Sequence, residues 1–161
     1  MRDLMSLAER PGIITLAGGF PDTESFPREK FDEIERVMAQ DYLASLLQYG
    51  PTEGLRELRE AICRVMAEEG ARCDPDSVMV TTGGQQGIDL SIGTFVDPGD
   101  TILAEGPTYP GAVPTFTRYR AQVRHVPMDA DGLIVDALEE MLDALDAEGV
   151  RPKLLYTIPN F

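Results

Sequence analysis

The sequence predicts an α/β fold, a mostly parallel sheet with flanking helices, preceded by an amino-terminal helical segment. From Val78 onward, short apolar runs rich in β-branched residues alternate with amphipathic stretches, the order of strands and helices in parallel sheets. Turns containing glycine or proline separate these runs, as in residues 97–100. With 161 residues, 43% of them hydrophobic and 26% charged, the chain can build a hydrophobic core.

The elements follow one another in a regular order. In the amino-terminal part, Pro27 opens a predicted helix that runs to about Ala44, and a second helix begins near Glu53 and ends before Gly70. Four apolar runs downstream predict strands, and the amphipathic stretches between them predict helices. The strands are expected at 78–82, 101–105, 122–126 and 154–158, and the helices at 83–95, from about 109, and at 135–147.

The most informative turn joins the first predicted strand to its helix, where Gly83, Gly84 and Gln85 stand. A helix start carries unpaired N–H groups and partial positive charge, and glycine lets a ligand approach the backbone closely. The turn therefore indicates a phosphate site, with a plain strand-to-helix turn as the alternative. Residues 106–109 and 159–161 follow other strands and are expected at the same sheet edge. Tyr109 there either stacks on a flat heterocycle or packs against a helix.

Charge and composition exclude several classes of protein. The net charge of −14 and the presence of only two lysines argue against a nucleic-acid surface. No run of 18 apolar residues and no signal-peptide pattern occurs, so we expect no membrane span and a cytoplasmic location. Cys63 and Cys73 are spaced for neither a metal knuckle nor a CxxC redox pair, and we interpret Cys63 as a core residue of a helix. His125 is the single histidine and is interpreted as a structural strand residue, so no metal site is expected.

Five segments, taken together and in order, carry a family resemblance. The chain resembles the amino-terminal portion of fold-type-I pyridoxal-phosphate enzymes, within the class I and II aminotransferases, and there the 2-aminoadipate and kynurenine aminotransferase group. The segments cover essentially the whole chain and comprise residues 10–21, 47–54, 81–86, 106–111 and 156–161.

The resemblance implies that pyridoxal 5′-phosphate is the cofactor and that the turn at Gly83, Gly84 and Gln85 seats its phosphate. In the family the residue matching Gly84 is usually serine, so this chain keeps the backbone cradle and loses a side-chain donor. Tyr109 matches the aromatic residue that stacks on the cofactor ring. Tyr49 matches a tyrosine that reaches the cofactor phosphate or the substrate of the neighbouring subunit, which implies a homodimer.

The substrate site is implied by residues nearer the amino terminus. Gly18 and Gly19 match a loop that lines the amino-acid site, where bulk would block the substrate. Arg2 matches an amino-terminal arginine that meets the substrate side chain, with a surface cation as the alternative.

The resemblance places the catalytic machinery downstream of this chain. The lysine that holds the cofactor, the acid at the pyridine nitrogen and the arginine for the substrate carboxylate all match positions beyond Phe161, and neither Lys30 nor Lys153 is expected to replace that lysine. We therefore assign no catalytic residue here. The implied domains are an arm and helix at 1–45 and the first part of the large domain at 46–161, an incomplete large domain truncated after its fourth strand. The family's sheet order places 122–126, 101–105 and 154–158 side by side, with 78–82 at the far edge.

Three functions remain open on the sequence. The first is the amino-terminal part of an aminotransferase that moves an amino group between an amino acid and a 2-oxo acid, inactive as an isolated chain. The second is the ligand-sensing, aminotransferase-like domain of a transcription regulator. The third is a self-sufficient phosphate-binding module.

Overall fold

The computed structural model describes residues 12–14 and 21–159. Its contacts divide the chain into two units, one that ends at Val80 and one that begins at Thr81. Each unit is described by itself. Within the described residues no helix combines the length and the apolar character needed to cross a membrane.

The first unit is helical. Asp22 caps a short 3₁₀ turn, Thr23–Ser25, by accepting a hydrogen bond from the Glu24 N–H. Helix α1 (Arg28–Val37) continues through a π-helical turn, Met38–Tyr42, into the short helix α2 (Leu43–Leu46). Helix α3 (Arg56–Glu68) follows, and a second 3₁₀ turn, Pro75–Ser77, comes after it. These helices confirm the two predicted from the sequence, with the first interrupted by the π-helical turn.

Gly54 shows why one turn of this unit requires glycine. Its φ is +94°, and a Cβ built on it would lie 2.5 Å from the Val80 Cγ2. The backbone passes this closely because the Val80 N–H donates to the carbonyl oxygen of Glu53 over 2.9 Å. A larger residue at Gly54 would have to displace Val80 and strain its own backbone.

The second unit contains the sheet. Helix α4 (Gly83–Phe95) precedes strand β1 (Thr101–Gly106), and helix α5 (Val113–Arg118) leads to strand β2 (Gln122–Asp129). Strand β3 (Gly132–Leu133), helix α6 (Val135–Ala147) and strand β4 (Leu154–Tyr156) complete the unit. The strand order is β3-β2-β1-β4, with β1 parallel to both β2 and β4 and β3 antiparallel to β2.

Strand β1 is the centre of this unit because both of its faces are covered. Ile102 and Ala104 face α4 and α5, while Leu103 faces α6. All three side chains are at most 2% exposed. The apolar run predicted as a buried parallel strand therefore occupies the position that such a run requires.

The sheet order predicted for residues 122–126, 101–105 and 154–158 is confirmed, and helix α6 has the predicted bounds. The strand predicted at 78–82 is wrong. The Val78 N–H donates to the carbonyl of Pro75 and the Val80 N–H to that of Glu53, and among residues 12–14 and 21–159 no strand pairs with this segment. A β-branched run favours an extended backbone, but a strand also needs a neighbouring strand.

Helix α5 begins at Val113 rather than near Tyr109, because a turn at residues 109–112 precedes it. The β2-β3 hairpin was not predicted.

Candidate functional site

The start of α4 exposes free backbone donors. The helix has 13 residues, and the side chain of Thr82, its N-cap, makes no capping hydrogen bond. The N–H groups of Gly84 and Gln85 have no hydrogen-bond partner among the described residues. A Cβ built on Gly83 or Gly84 would meet no atom within 4 Å, and the φ of +71° at Gly83 favours glycine. Open space, two unpaired donors and the positive end of a helix dipole are what an anionic group needs.

The two amide side chains of this turn each make a hydrogen bond that holds the helix in place. The Gln86 Oε1 accepts from the Thr82 N–H at 2.5 Å, which satisfies one donor just before the helix. The Gln85 Nε2 donates to the Thr115 Oγ1 of α5 at 2.9 Å, and Thr115 is 6% exposed. Gln85 thus ties the first turn of α4 to α5 through its side chain, while its backbone N–H stays unpaired.

Glu105 fastens two strand ends together. Its side chain, at the carboxyl end of β1, is 2% exposed. Its Oε1 accepts from the Thr157 hydroxyl, and its Oε2 accepts from the Ile158 N–H at 3.0 Å. Because a buried carboxylate must be paired, this clamp fixes residues 157–158, directly after β4, against the end of β1.

The loop that follows β1 carries Tyr109. Its side chain is 39% exposed, and its ring lies so close to Gly111 that a Cβ there would clash with the ring. The pKa of Tyr156 is raised, first because of burial and then because of Tyr109 and Glu105 nearby. Thr108 directly precedes Tyr109, and its buried Oγ1 has no hydrogen-bond partner within the described part of the chain. An unpaired buried hydroxyl costs about 1–3 kcal/mol, so this loop has an unmet hydrogen-bonding requirement beside Tyr109.

Two cavities flank α4. The larger, about 540 Å³, lies between α4 and α5 and is lined by Thr82, Gln85, Gln86, Asp89, Pro114, Thr115 and Arg118. Its positive charge is compensated, since Arg118 pairs with Asp89 at 3.3 Å. The second, about 410 Å³, lies between α4 and β4 and brings Gly84 and Tyr156 to one groove. Gly84 thus borders an open groove beside β4, the last strand in the sheet order.

The remaining predicted site residues lie in the first unit or outside the described residues. Tyr49 belongs to the first unit, where its side chain is fully exposed. Arg2, Gly18 and Gly19 lie outside the described residues. His125 lies in β2 with its Nδ1 3.1 Å from the carbonyl oxygen of Glu105.

The two lysines lie away from the Glu105 clamp or in the first unit, and the described residues contain no metal-binding group. Lys153 precedes β4 and lies 3.7 Å from Asp100, at the opposite end of that strand from the Glu105 clamp. Lys30 lies in α1 of the first unit. Among residues 12–14 and 21–159, no three His, Cys, Asp or Glu side chains are grouped so that they could hold a metal ion.

Sequence reasoning missed the residues that support the site. Glu105 could have been found, because a carboxylate at the end of the apolar run Thr101–Ala104 must find partners if it is buried. The pairing of Gln85 with Thr115 left no such signal, since the two residues lie 30 positions apart.

Individual groups of this structure suit the two parts of a phosphorylated cofactor with a flat ring. The unpaired donors of Gly84 and Gln85 suit a phosphate, and the half-exposed ring of Tyr109 suits an aromatic ring. No described residue fills the space above Gly83 and Gly84.

Comparisons with known proteins agree with this geometry. The family model "Aminotransferase class I and II" matches residues 11–158. Aromatic-amino-acid aminotransferase 1 of Thermococcus litoralis is 40% identical over all of this chain and 39% of its own length. The 2-aminoadipate transaminase of Thermus thermophilus is 38% identical over all of this chain and 38% of its own length. An uncharacterized HTH-type transcriptional regulator of Escherichia coli is 28% identical over 85% of this chain.

A solved structure extends the likeness to three dimensions. Pyrococcus horikoshii kynurenine aminotransferase, in complex with PMP, superposes with a TM-score of 0.88 at 37% identity, over 98% of this chain and 39% of that one. This chain thus spans about two fifths of the length of these aminotransferases. It belongs to the class I and II aminotransferases, fold-type-I proteins whose cofactor is pyridoxal 5′-phosphate.

Proposed function

We propose that this chain is the amino-terminal part of a pyridoxal-phosphate-dependent aminotransferase, and that the start of α4 binds the cofactor phosphate. The observation that carries the proposal is the uncapped helix start, where the N–H groups of Gly84 and Gln85 are unpaired and a Cβ on Gly83 or Gly84 would meet only open space. Phosphate accepts such donors readily, and the helix dipole adds to the attraction.

Further roles follow from the family match and rest on the same proposal. Tyr109 stacks on the cofactor ring, and Tyr49 reaches the cofactor or substrate of a partner subunit in a homodimer. The side chain of Tyr49 is fully exposed, which supports a contact with a group outside the first unit. Gly18, Gly19 and Arg2 line the amino-acid site. The arm and helix at 1–45 and the large-domain segment at 46–161 are the domains in this proposal, and the enzyme works in the cytoplasm.

The described residues bind and position rather than react. Bound pyridoxal 5′-phosphate supplies the electron-withdrawing ring on which an amino group passes between an amino acid and a 2-oxo acid. The α4 start holds the phosphate, and the Glu105 clamp fixes residues 157–158 against the end of the strand that leads to Tyr109. In this proposal the lysine that holds the cofactor and the arginine for the substrate carboxylate come from the remainder of the enzyme.

The test is a pair of variants at Gly84 in the full-length enzyme. Gly84→Ser places a hydroxyl in open space beside two unpaired N–H groups, and Gly84→Ala adds the same Cβ without the donor. A hydrogen bond to a charged acceptor contributes about 1.5–3 kcal/mol, so the serine variant is expected to bind pyridoxal 5′-phosphate roughly tenfold more tightly than the alanine variant. Pyridoxal, which lacks the phosphate, should bind both variants equally. Equal affinities of the two variants for pyridoxal 5′-phosphate would remove the phosphate from this helix start.

The reaction class is tested separately on the same enzyme. We expect turnover of 2-aminoadipate, kynurenine or an aromatic amino acid with 2-oxoglutarate, in line with the relatives' names. Tight cofactor binding without turnover of any of these donors, together with specific DNA binding, would favour the regulator instead.

A further inference from the structure

The two cysteines of the chain lie side by side. Cys63 stands in α3 and is half-buried, and Cys73 stands in the following loop and is exposed. Their Sγ atoms are 3.2 Å apart and form a thiol–thiol hydrogen bond. A disulfide has an S–S distance near 2.05 Å, so the sulfur atoms need to approach by only about 1.2 Å. We propose that Cys63 and Cys73 form a redox-modification site at which a hydroperoxide produces an intramolecular disulfide.

The backbone on both sides of Cys73 is anchored, which keeps the thiols together. Before it, the Ala71 N–H donates to the carbonyl of Met66 at 2.8 Å. After it, Asp74 caps the turn Pro75–Ser77 by accepting from the Asp76 N–H at 2.8 Å.

A second anchor ties this loop back to the helix that carries Cys63. The Arg59 guanidinium, in α3, donates to the carbonyl of Pro75 at 2.6 Å. Its side chain is 12% exposed, and it also forms an ion pair at 3.4 Å with Asp76, whose side chain is 72% exposed. The loop that carries Cys73 is therefore fixed to α3 by groups other than the thiols.

The two cysteines have different roles in the reaction. The pKa of Cys63 is raised, chiefly by its hydrogen bond with Cys73 and then by partial burial and by nearby acidic groups, Asp74 and Glu60 among them. Because Cys73 is the more exposed of the two thiols, we assign the attack on the peroxide to Cys73 and the second step to Cys63. With hydrogen peroxide, the Cys73 thiolate attacks one oxygen and breaks the O–O bond, which leaves a sulfenic acid; the departing hydroxide takes up the proton that the Cys73 thiol lost and leaves as water. The Cys63 sulfur then displaces the sulfenic hydroxyl as a second water, so the peroxide gains the two electrons and two protons that the thiols lose.

This site and the proposed cofactor site are made of different residues. Both cysteines belong to the first unit, whereas the start of α4 belongs to the second. A failed cofactor experiment would leave the redox site untouched, and the reverse also holds.

The experiment treats the purified, reduced protein with a small excess of hydrogen peroxide and maps its peptides without reduction. We expect one linkage, Cys63 to Cys73, within a single chain whose mass has fallen by two hydrogen atoms. In a glutathione redox buffer the pair should show an effective concentration at least roughly tenfold higher under native conditions than in concentrated urea, because the fold holds the thiols together.

Single serine variants provide the controls. Cys73→Ser changes an exposed residue and should leave Cys63 reduced at peroxide levels that oxidise the original pair. Cys63→Ser should leave Cys73 at the sulfenic stage or beyond, because no partner remains. If Cys63→Ser does not fold, the Cys73→Ser variant and the urea comparison still decide. Separate oxidation of the two thiols, linkage between chains, or equal effective concentrations in buffer and urea would overturn the proposal.

Discussion

Replacing Glu105 should separate its two roles as acceptor and as buried charge. Its carboxylate accepts from the Thr157 hydroxyl and the Ile158 N–H and is 2% exposed. Each hydrogen bond to a charged acceptor contributes about 1.5–3 kcal/mol, and the burial of the charge offsets part of that sum. We therefore expect Glu105→Ala to lower the free energy of unfolding by about 3 kcal/mol, because it leaves the Ile158 N–H unpaired.

Glu105→Gln is the matched control. Its carbonyl can accept from Ile158, and the Thr157 hydroxyl can turn to accept from the new amide, so we expect a loss of only about 1 kcal/mol. The direct readout is hydrogen exchange of the Ile158 amide, whose partner in the structure is the Glu105 Oε2. The difference of about 2 kcal/mol corresponds to roughly 30-fold faster exchange in the alanine variant. Equal exchange of Ile158 in both variants would refute the clamp.

Three further predictions concern the lysines, the aromatic residue and the missing strand. The 161-residue chain alone should show no transamination of 2-aminoadipate with 2-oxoglutarate, since Lys153 lies at the far end of β4 from the clamp and neither it nor Lys30 matches the family's cofactor-holding lysine. Turnover that survives removal of contaminating enzymes would contradict this. In the full-length enzyme, Tyr109→Ala should weaken cofactor retention roughly tenfold more than His125→Ala, because aromatic stacking contributes about 1–3 kcal/mol. Equal loss in both variants would remove Tyr109 from the site. Amides at 78–80 should exchange at least about 100-fold faster than those of buried β1, and equal protection would show that residues 78–80 are paired in a sheet after all.

The sequence was sufficient for elements whose pattern reflects their own burial. Strand β1 reads as a continuous apolar run because both of its faces are covered, and α6 shows a clear helical period because one of its faces packs on Leu103 and Val126. The turn at Gly83 was also readable, since its glycines leave the backbone open whatever surrounds them.

Elements that depend on a distant partner could not be read in the same way. The segment 78–80 has the composition of a strand, but its backbone pairs with a turn carbonyl at Glu53 instead. The proximity of Cys63 and Cys73 depends on how the loop after α3 folds back, and their spacing matches no known pattern. Spacing rules identify sites made within one turn, whereas this contact is made by a loop anchored through Arg59.

The absent side-chain cap at Thr82 connects the stability of α4 to its proposed role. A capping side chain would stabilise the helix by about 1 kcal/mol, yet it would occupy the N–H groups that a phosphate needs. The helix is instead held by contacts that leave those donors free: Gln86 pairs with the Thr82 N–H, and Gln85 reaches Thr115 in α5. In the proposed function, ligand binding supplies the missing hydrogen bonds, so a phosphorylated cofactor should stabilise the folded protein by an amount that grows with the logarithm of its affinity. A side chain that capped this helix would make the free protein more stable and the cofactor weaker, which is why the open helix start is better explained by binding than by folding.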